Sequence, residues 1–215
     1  ETVNLKKLDD FSMVNLQRKN LLDSNSPNPS VETLLHAFIP HKYVDHTHAN
    51  SILGLIDQPN DIEICKKVFG DKVGIVPYVI PGFELAIKAN SVFQKNNKVI
   101  GLILLNHGIF SFGSTAKESY ERMIQLVNIA ERYLSKYPNK ILKNSKKIKK
   151  NIIKIEDVFP LIRKNLSSKI DDNFTKWVLD FRSNKKILSY LNNKNLNIFS
   201  QSGPITPDHV IRIKP

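Results

Sequence analysis

The sequence lacks several features that would place it in a specialised class of proteins. Its single cysteine, Cys65, cannot form an internal disulfide, and no basic-then-apolar signal segment opens the chain. No apolar run approaches the roughly 18 residues that a membrane-spanning helix requires. No glycine-rich dinucleotide fingerprint occurs either. These absences argue against a disulfide scaffold, a membrane protein and a nucleotide-dependent dehydrogenase, and they predict a location in a reducing cytoplasm.

What is present is an ordinary globular composition with an excess of positive charge. The 215 residues are 41% apolar and 24% charged, which suits one sizeable domain with or without an appendage. The net charge is +12, and seven lysines fall within residues 140–154. That segment has no aromatic residue to stack on a base and no arginine to read one, so a solvated helix face or connector is favoured over nucleic-acid binding. Nucleic-acid binding through this segment remains an alternative function.

Apolar periodicity predicts helices mixed with strands, and therefore an α/β fold with helices packed on a sheet. We place a domain boundary near Pro138, which gives a first domain over residues 1–138 and a basic, mostly helical extension over residues 139–215. The final "DHVIRIKP" alternates like a strand that has barely begun. Because the chain also starts with Glu1 rather than Met, we expect it to be a piece of a longer protein.

The stretch "YVDHTHA" contains two histidines one residue apart on a predicted strand. Residues i and i+2 of a strand point to the same face, so His46 and His48 provide half of a metal site. A third ligand has to come from His36, His41, His107 or His209. Without such a partner, two half-exposed histidines on a strand edge are an equally good interpretation.

Two further residues extend this hypothesis. His107 ends the apolar strand "VIGLILL", where a polar side chain is costly unless it has a partner, although backbone groups can supply one. Glu32 lies in the first turn of a helix predicted from about residue 31 to 39, after the N-cap candidate Ser30. It is either a carboxylate that stabilises the helix N-terminus or a base beside a metal.

Three segments carry a family resemblance: "PSVETLLHAFIPHKYVDHTHA", "PYVIPGFELA" and "LLNHGIFSFGSTAKESYERM". Together they resemble the class II aldolase/adducin family over about residues 26–138. The first segment and the terminal "GPITPDHVIRIKP" are similar to the aldolase part of bifunctional rhamnulose-1-phosphate aldolase/alcohol dehydrogenases. The resemblance implies a three-layer αβα fold with a central, mostly antiparallel sheet. It also implies a homo-oligomer, a tetramer with active sites at subunit contacts.

The resemblance assigns roles residue by residue. It implies a Zn²⁺ ion held by His46, His48 and His107, with Glu32 as the catalytic acid/base. Ser30 matches a serine that helps to hold the substrate phosphate, whereas Val31 stands where a second serine is frequent.

Two features fit the family less directly. His209 and Arg212 are candidates for contacts to substrate or behind the metal ligands, and an ordinary surface turn and strand is the alternative. The family's glycine-rich phosphate loop has no counterpart between Glu1 and Ser30, so we expect the domain to lack it.

The implied activity is zinc-dependent cleavage of a ketose 1-phosphate, such as rhamnulose 1-phosphate, to dihydroxyacetone phosphate and an aldehyde. Zn²⁺ would polarise the carbonyl and hydroxyl oxygens, and Glu32 would carry the proton, so no lysine Schiff base is needed. Two alternatives remain open on the same scaffold. One is a pentulose-phosphate 4-epimerase, and the other is a non-enzymatic, adducin-like interaction module.

Overall fold

A computed structural model describes residues 9–137, 153–170 and 173–212. The chain divides into two compact units. The first contains Glu1–Tyr137 and Gly203–Pro215, and the second contains Pro138–Ser202. The tail from Gly203 is therefore grouped with the first unit.

The first unit combines six helices, one 3₁₀ turn and four strands before Tyr137 with a short helix in the tail, counted over the described residues. The helices are α1 (Asp10–Lys19), α2 (Thr33–Phe38), α3 (Asn50–Ile56), α4 (Asp61–Phe69), α5 (Phe83–Lys95) and α6 (Ala116–Leu134), with the 3₁₀ turn at Gly70–Lys72. The strands are β1 (Tyr43–Thr47), β2 (Val73–Val76), β3 (Gly101–Leu104) and β4 (Gly108–Gly113).

The four strands form one mixed sheet in the order β1-β4-β3-β2. β4 is antiparallel to both β1 and β3, while β2 and β3 are parallel. The connections explain this pattern, because a tight turn joins β3 to β4, whereas helix α5 carries the chain across from β2 to β3. The expectation of a mostly antiparallel sheet is thereby corrected to a mixed one.

Helices cover both faces of this sheet, as the alternation of buried side chains shows. Along β3, Leu102 and Leu104 join one apolar cluster, while Ile103 joins another. The first cluster includes side chains from α2 and α5, and the second includes side chains from α3, α4 and α6. Since successive strand residues face opposite sides, the sheet lies between two helical layers.

The end of the chain differs from the prediction. A strand was expected from Asp208, but the structure has helix α10 (Pro207–Arg212). The Thr206 hydroxyl accepts a hydrogen bond from the His209 amide, and Pro207 occupies the first helical position, where its missing N–H costs nothing. The prediction was wrong because the cap signal in "TPDH" outweighs the short alternation of Ile211 and Ile213.

The second unit consists of short elements. These are α7 (Ile155–Leu166), the two-stranded antiparallel pair β5 (Lys169–Ile170) and β6 (Asn173–Phe174), α8 (Lys185–Leu191) and α9 (Leu196–Phe199). Most of the lysine-rich segment 140–154 lies outside the described residues. Across the part of the chain that the structure describes, none of the helices combines the length and apolar character needed to cross a bilayer.

Candidate metal centre

Three imidazoles converge at one edge of the mixed sheet. His46 lies on β1, His48 lies just beyond the end of that strand, and His107 lies in the turn between β3 and β4. One nitrogen from each ring lies within 4.8 Å of the others. Because β1 pairs with β4, His46 is placed opposite Phe110 and so beside the turn that carries His107. Pairing of these strands thus unites residues some sixty positions apart, as the hypothesis of a metal site requires.

His46 is the most firmly held of the three rings. Its Nδ1 lies 3.0 Å from the carbonyl oxygen of Ile109, and its ring stacks on Phe110 with centroids 4.2 Å apart. Burial, only partly opposed by the negative charge of Glu32, lowers the pKa of His46 to about 4. The ring is therefore neutral near pH 7, the form in which imidazole binds a metal.

His48 forms a hydrogen bond with a side chain from the tail. Its Nδ1 lies 3.0 Å from Oδ2 of Asp208, a residue in α10, 160 positions further along the chain. The hydrogen bond to His48 holds the pKa of Asp208 below its usual range, so the acceptor is a carboxylate near neutral pH. An ionised carboxylate can only accept a hydrogen bond, and Nδ1 of His48 is therefore the protonated nitrogen.

The facing nitrogens of these two rings test whether a cation fits. The carbonyl of Ile109 and the carboxylate of Asp208 both accept a hydrogen from Nδ1, so in the tautomers that make these two contacts the lone pair is on Nε2. These two Nε2 atoms lie only 2.9 Å apart. Two ligands of one tetrahedral Zn²⁺, with bonds of about 2.0 Å, would lie roughly 3.3 Å apart. The donor set therefore suits a divalent cation, which would relieve the repulsion between the lone pairs.

His107 is buried and lies against Glu32. Its Nε2 is 2.8 Å from Oε1 of Glu32, while its Nδ1 is buried without a hydrogen-bond partner. The preceding residue, Asn106, has a left-handed backbone with φ of 54°. The Asn106 amide donates to Asp57 Oδ1 at 3.3 Å and to the Ile56 carbonyl at 3.4 Å, which fastens the turn to the end of α3.

Glu32 faces the histidines rather than its own helix. It is the N-cap residue of α2, yet its side chain makes no capping hydrogen bond. Its Oε2 lies 3.8 Å from Nε2 of His46, and the hydrogen bond from His107 is the main cause that lowers the pKa of Glu32. A carboxylate beside the proposed ligands is thus favoured over a simple helix cap.

Gly108 lets the strands approach closely enough to form this cluster. A Cβ atom at this position would lie 2.6 Å from the carbonyl oxygen of Thr47, 2.9 Å from Cδ2 of His48 and 3.1 Å from Cε1 of His46. The first contact is with backbone, which cannot simply rotate away. A larger residue would therefore clash at position 108, which explains why glycine follows His107.

The other predicted site residues lie apart from the cluster or act indirectly. Ser30 is exposed, and its hydroxyl accepts a hydrogen bond from the amide of Glu32 at 3.1 Å. His209 is exposed and bonds to the hydroxyl of Thr206. Arg212 is exposed as well, and its charge is a minor contributor to the lowered pKa of Asp208. Their roles in substrate binding stay predictions.

Two histidines weighed as third ligands have other contacts. Nδ1 of His36 lies 3.2 Å from the carbonyl oxygen of Val44, and His41 stacks on Phe112 with centroids 4.7 Å apart. The residue that sequence reasoning missed is Asp208. Its neighbours His209 and Arg212 were considered instead, and no local pattern marks an exposed aspartate as the partner of a distant histidine.

A cavity of about 730 Å³ opens beside His107. Its walls combine apolar side chains with the polar groups of Asp57, Asn106, His107 and Thr206, and the tail closes one side. The lining residues are Asp57, Tyr78, Pro81, Asn106, His107, Gly203, Pro204, Ile205, Thr206, Pro207, Val210 and Ile211. The size and position suit a small organic substrate next to the histidines.

Two family profiles match the sequence. The profile of the Class II Aldolase and Adducin N-terminal domain matches residues 3–134, and that of the Aldolase class II second domain matches residues 154–215. A curated relative, the "Uncharacterized oxidoreductase YuxG" of Bacillus subtilis (strain 168), is 31% identical over 216 residues. That match covers 97% of this chain but only 30% of the relative's length.

Two solved structures are similar to part of this chain. The N-terminal class II aldolase domain of a conserved protein from Thermoplasma acidophilum is 39% identical, with a TM-score of 0.55, over 60% of this chain and 59% of that chain. A sugar-phosphate aldolase from Thermotoga maritima matches at 23% identity with a TM-score of 0.45, over 53% of this chain and 58% of that chain.

Proposed function

Since this chain belongs to the class II aldolase/adducin family, we propose that it is a zinc-dependent aldolase that cleaves a ketose 1-phosphate. The products would be dihydroxyacetone phosphate and an aldehyde. The observation that carries this proposal is the convergence of His46, His48 and His107 with Glu32 on one side of them. An interaction module would have no need of such a set.

The three histidines would hold the metal, and a bound Zn²⁺ would supply a Lewis acid for the carbonyl and adjacent hydroxyl oxygens of the substrate. Glu32 would transfer the proton at C3. In the cleavage direction its carboxylate would accept the proton of the C4 hydroxyl as the C3–C4 bond breaks and would then deliver it to C3; in the aldol direction the same proton would move from C3 to the aldehyde oxygen. Its lowered pKa keeps it ionised and ready to accept that proton near neutral pH.

The cavity beside His107 would take the aldehyde part of the substrate, because it adjoins the histidines and is large enough for a short carbon chain. Ser30, next in space to the amide of Glu32, would contact the phosphate. Four further parts of the proposal rest on the resemblance or on composition: zinc as the metal, a rhamnulose-like sugar, a tetramer and a cytoplasmic location.

Metal content is the first test. Protein purified without chelator should contain close to one zinc per chain, and His46→Ala should lose it, because two imidazoles alone hold zinc weakly. His41→Gln is the matched control, since it removes a histidine outside the cluster and should leave zinc content unchanged. Wild-type protein with no bound divalent metal would refute the proposal.

Activity is the second test. Glu32→Gln should keep its zinc but lower the rate of cleavage about 10²- to 10⁴-fold, the usual loss when a general acid/base is removed. The assay follows dihydroxyacetone phosphate released from L-rhamnulose 1-phosphate, with L-ribulose 5-phosphate as a parallel substrate. Epimerisation of the second substrate without cleavage of the first would identify the enzyme as a 4-epimerase instead.

A further inference from the structure

The tail of the first unit reaches the metal centre through one contact. Asp208 belongs to α10, and its carboxylate lies 3.0 Å from Nδ1 of His48. The neighbouring His209, which the sequence offered as a candidate third ligand, bonds instead to the hydroxyl of Thr206. The chain thus brings a carboxylate to the outer nitrogen of a proposed ligand from far along the sequence.

We propose that Asp208 is a positioning residue of the metal centre. By accepting the Nδ1 hydrogen of His48, it fixes the tautomer and the ring orientation that leave Nε2 free to bind the metal. This inference rests on the proposed function only in requiring that the cluster binds a metal.

His48 is the ring that depends most on such help. His46 is held by a backbone carbonyl and by the ring of Phe110, and His107 is buried within the turn. His48 lies beyond the end of β1, and 17% of its side chain is exposed. A ring outside the strand ladder can rotate more freely, so a partner on its outer nitrogen determines where Nε2 points.

The carboxylate also acts on the strength of the ligand. A negative acceptor on Nδ1 makes the imidazole a better electron donor at Nε2, and such partners change metal affinity about 10- to 100-fold in other proteins. Asp208 is 60% exposed, so solvent weakens its effect. We therefore expect a loss near the lower end of that range.

The experiment measures the zinc dissociation constant of the full chain by competition with a chromogenic chelator. Asp208→Ala should weaken zinc binding about 10-fold, whereas Asp208→Asn should weaken it less, because the amide oxygen still accepts the hydrogen bond without a charge. Asp45→Asn is the matched control. Asp45 is exposed on β1 beside His46, but alternation along the strand turns its side chain to the opposite face.

Two further measurements separate positioning from a general structural role. The urea midpoints of the metal-free Asp208 variants should stay close to that of the wild type. The visible absorption of the Co²⁺-loaded protein should change in Asp208→Ala, because this spectrum reports the geometry of the ligands. If Asp208→Ala does not fold, Asp208→Asn alone decides the matter.

The outcomes are distinct. Zinc affinity of the Asp208 variants within twofold of wild type would overturn the inference, as would an equal loss in Asp45→Asn, which would mean that any nearby negative charge serves. Wild-type protein that binds no zinc would overturn the proposed function together with this inference.

Discussion

The two units of the chain differ in how they bury apolar side chains. The first unit packs two apolar clusters against its sheet, and side chains such as Leu102 and Phe110 are fully buried. Within the described residues of the second unit, no hydrophobic side chain reaches that burial, and Trp177 and Val178 are 49% and 95% exposed. All six histidines of the sequence also lie in the first unit.

This difference shows what a cluster of converging imidazoles requires of its surroundings. The ring of His46 stacks on Phe110, a residue that is itself fully buried, and this packing supports its orientation. Helix α7 of the second unit has an apolar stripe too, yet Leu161 and Leu166 on it are 62% and 54% exposed. A periodic pattern shows that one face of a helix is apolar, whereas a close-packed core also holds its side chains in defined rotamers.

The largest effect on the free energy of unfolding should come from replacing a buried leucine of the first unit by alanine. The same replacement at an exposed leucine of the second unit is the comparison. We expect Leu102→Ala, at a fully buried position, to lower the free energy of unfolding by about 2–5 kcal/mol, through lost transfer energy and the cavity left behind. Leu161→Ala, at an exposed position, should change it by no more than about 0.5 kcal/mol. Urea unfolding measures both, and equal losses would break the comparison.

A second difference is that the first unit contains His46, whose lowered pKa should make the stability of the protein depend on pH. The pKa of His46 falls from 6.5 to about 4 on folding, so between these values the unfolded chain binds more protons than the folded one. Stability of the metal-free protein should therefore be complete above about pH 6.5 and decline as the pH falls toward 4, by about 3 kcal/mol in total. Unfolding in urea with chelator at several pH values measures this loss.

His46→Gln is the control for that experiment, since it removes the titrating ring. Its stability should depend less on pH between 6.5 and 4. The lowered pKa of Glu32 acts in the same direction but in more acidic solution, as its stabilising contribution is lost when the pH falls through its folded value. If the stability of the wild-type protein did not change between pH 6.5 and 4, the burial of His46 would be contradicted.

The smallest effect concerns a single methyl group and compares two positions within the first unit. Gly108→Ala should destabilise the protein by about 1–3 kcal/mol and weaken zinc binding, because the new Cβ meets the Thr47 carbonyl and the His48 ring. Gly203→Ala, where no atom lies within 4 Å of the new Cβ, should change stability by no more than about 0.5 kcal/mol. Similar losses of stability in the two variants would show that the strands can move apart to accommodate the new methyl group.

Much of the first unit could be predicted from the sequence because its local signals agree with one another. The strand containing His46 and the helix after Ser30 were both expected within a residue or two of β1 and α2. The parallel pairing of β2 and β3 agrees with the helix that connects them, a signal that the expectation of a mostly antiparallel sheet, taken from the family resemblance, left unused. The tail was mistaken for a strand because a short alternation competed with a helix cap only one residue away.

Residue types and local periodicity were enough to indicate a His-x-His pair on a strand, a third histidine before a glycine and a glutamate at the start of a helix. The turn of Glu32 toward the histidines and the contact between Asp208 and His48 are visible only in the folded chain. The physical reason is that these contacts join segments 75 and 160 residues apart, and the packing of sheet, helices and tail sets such distances rather than any local preference.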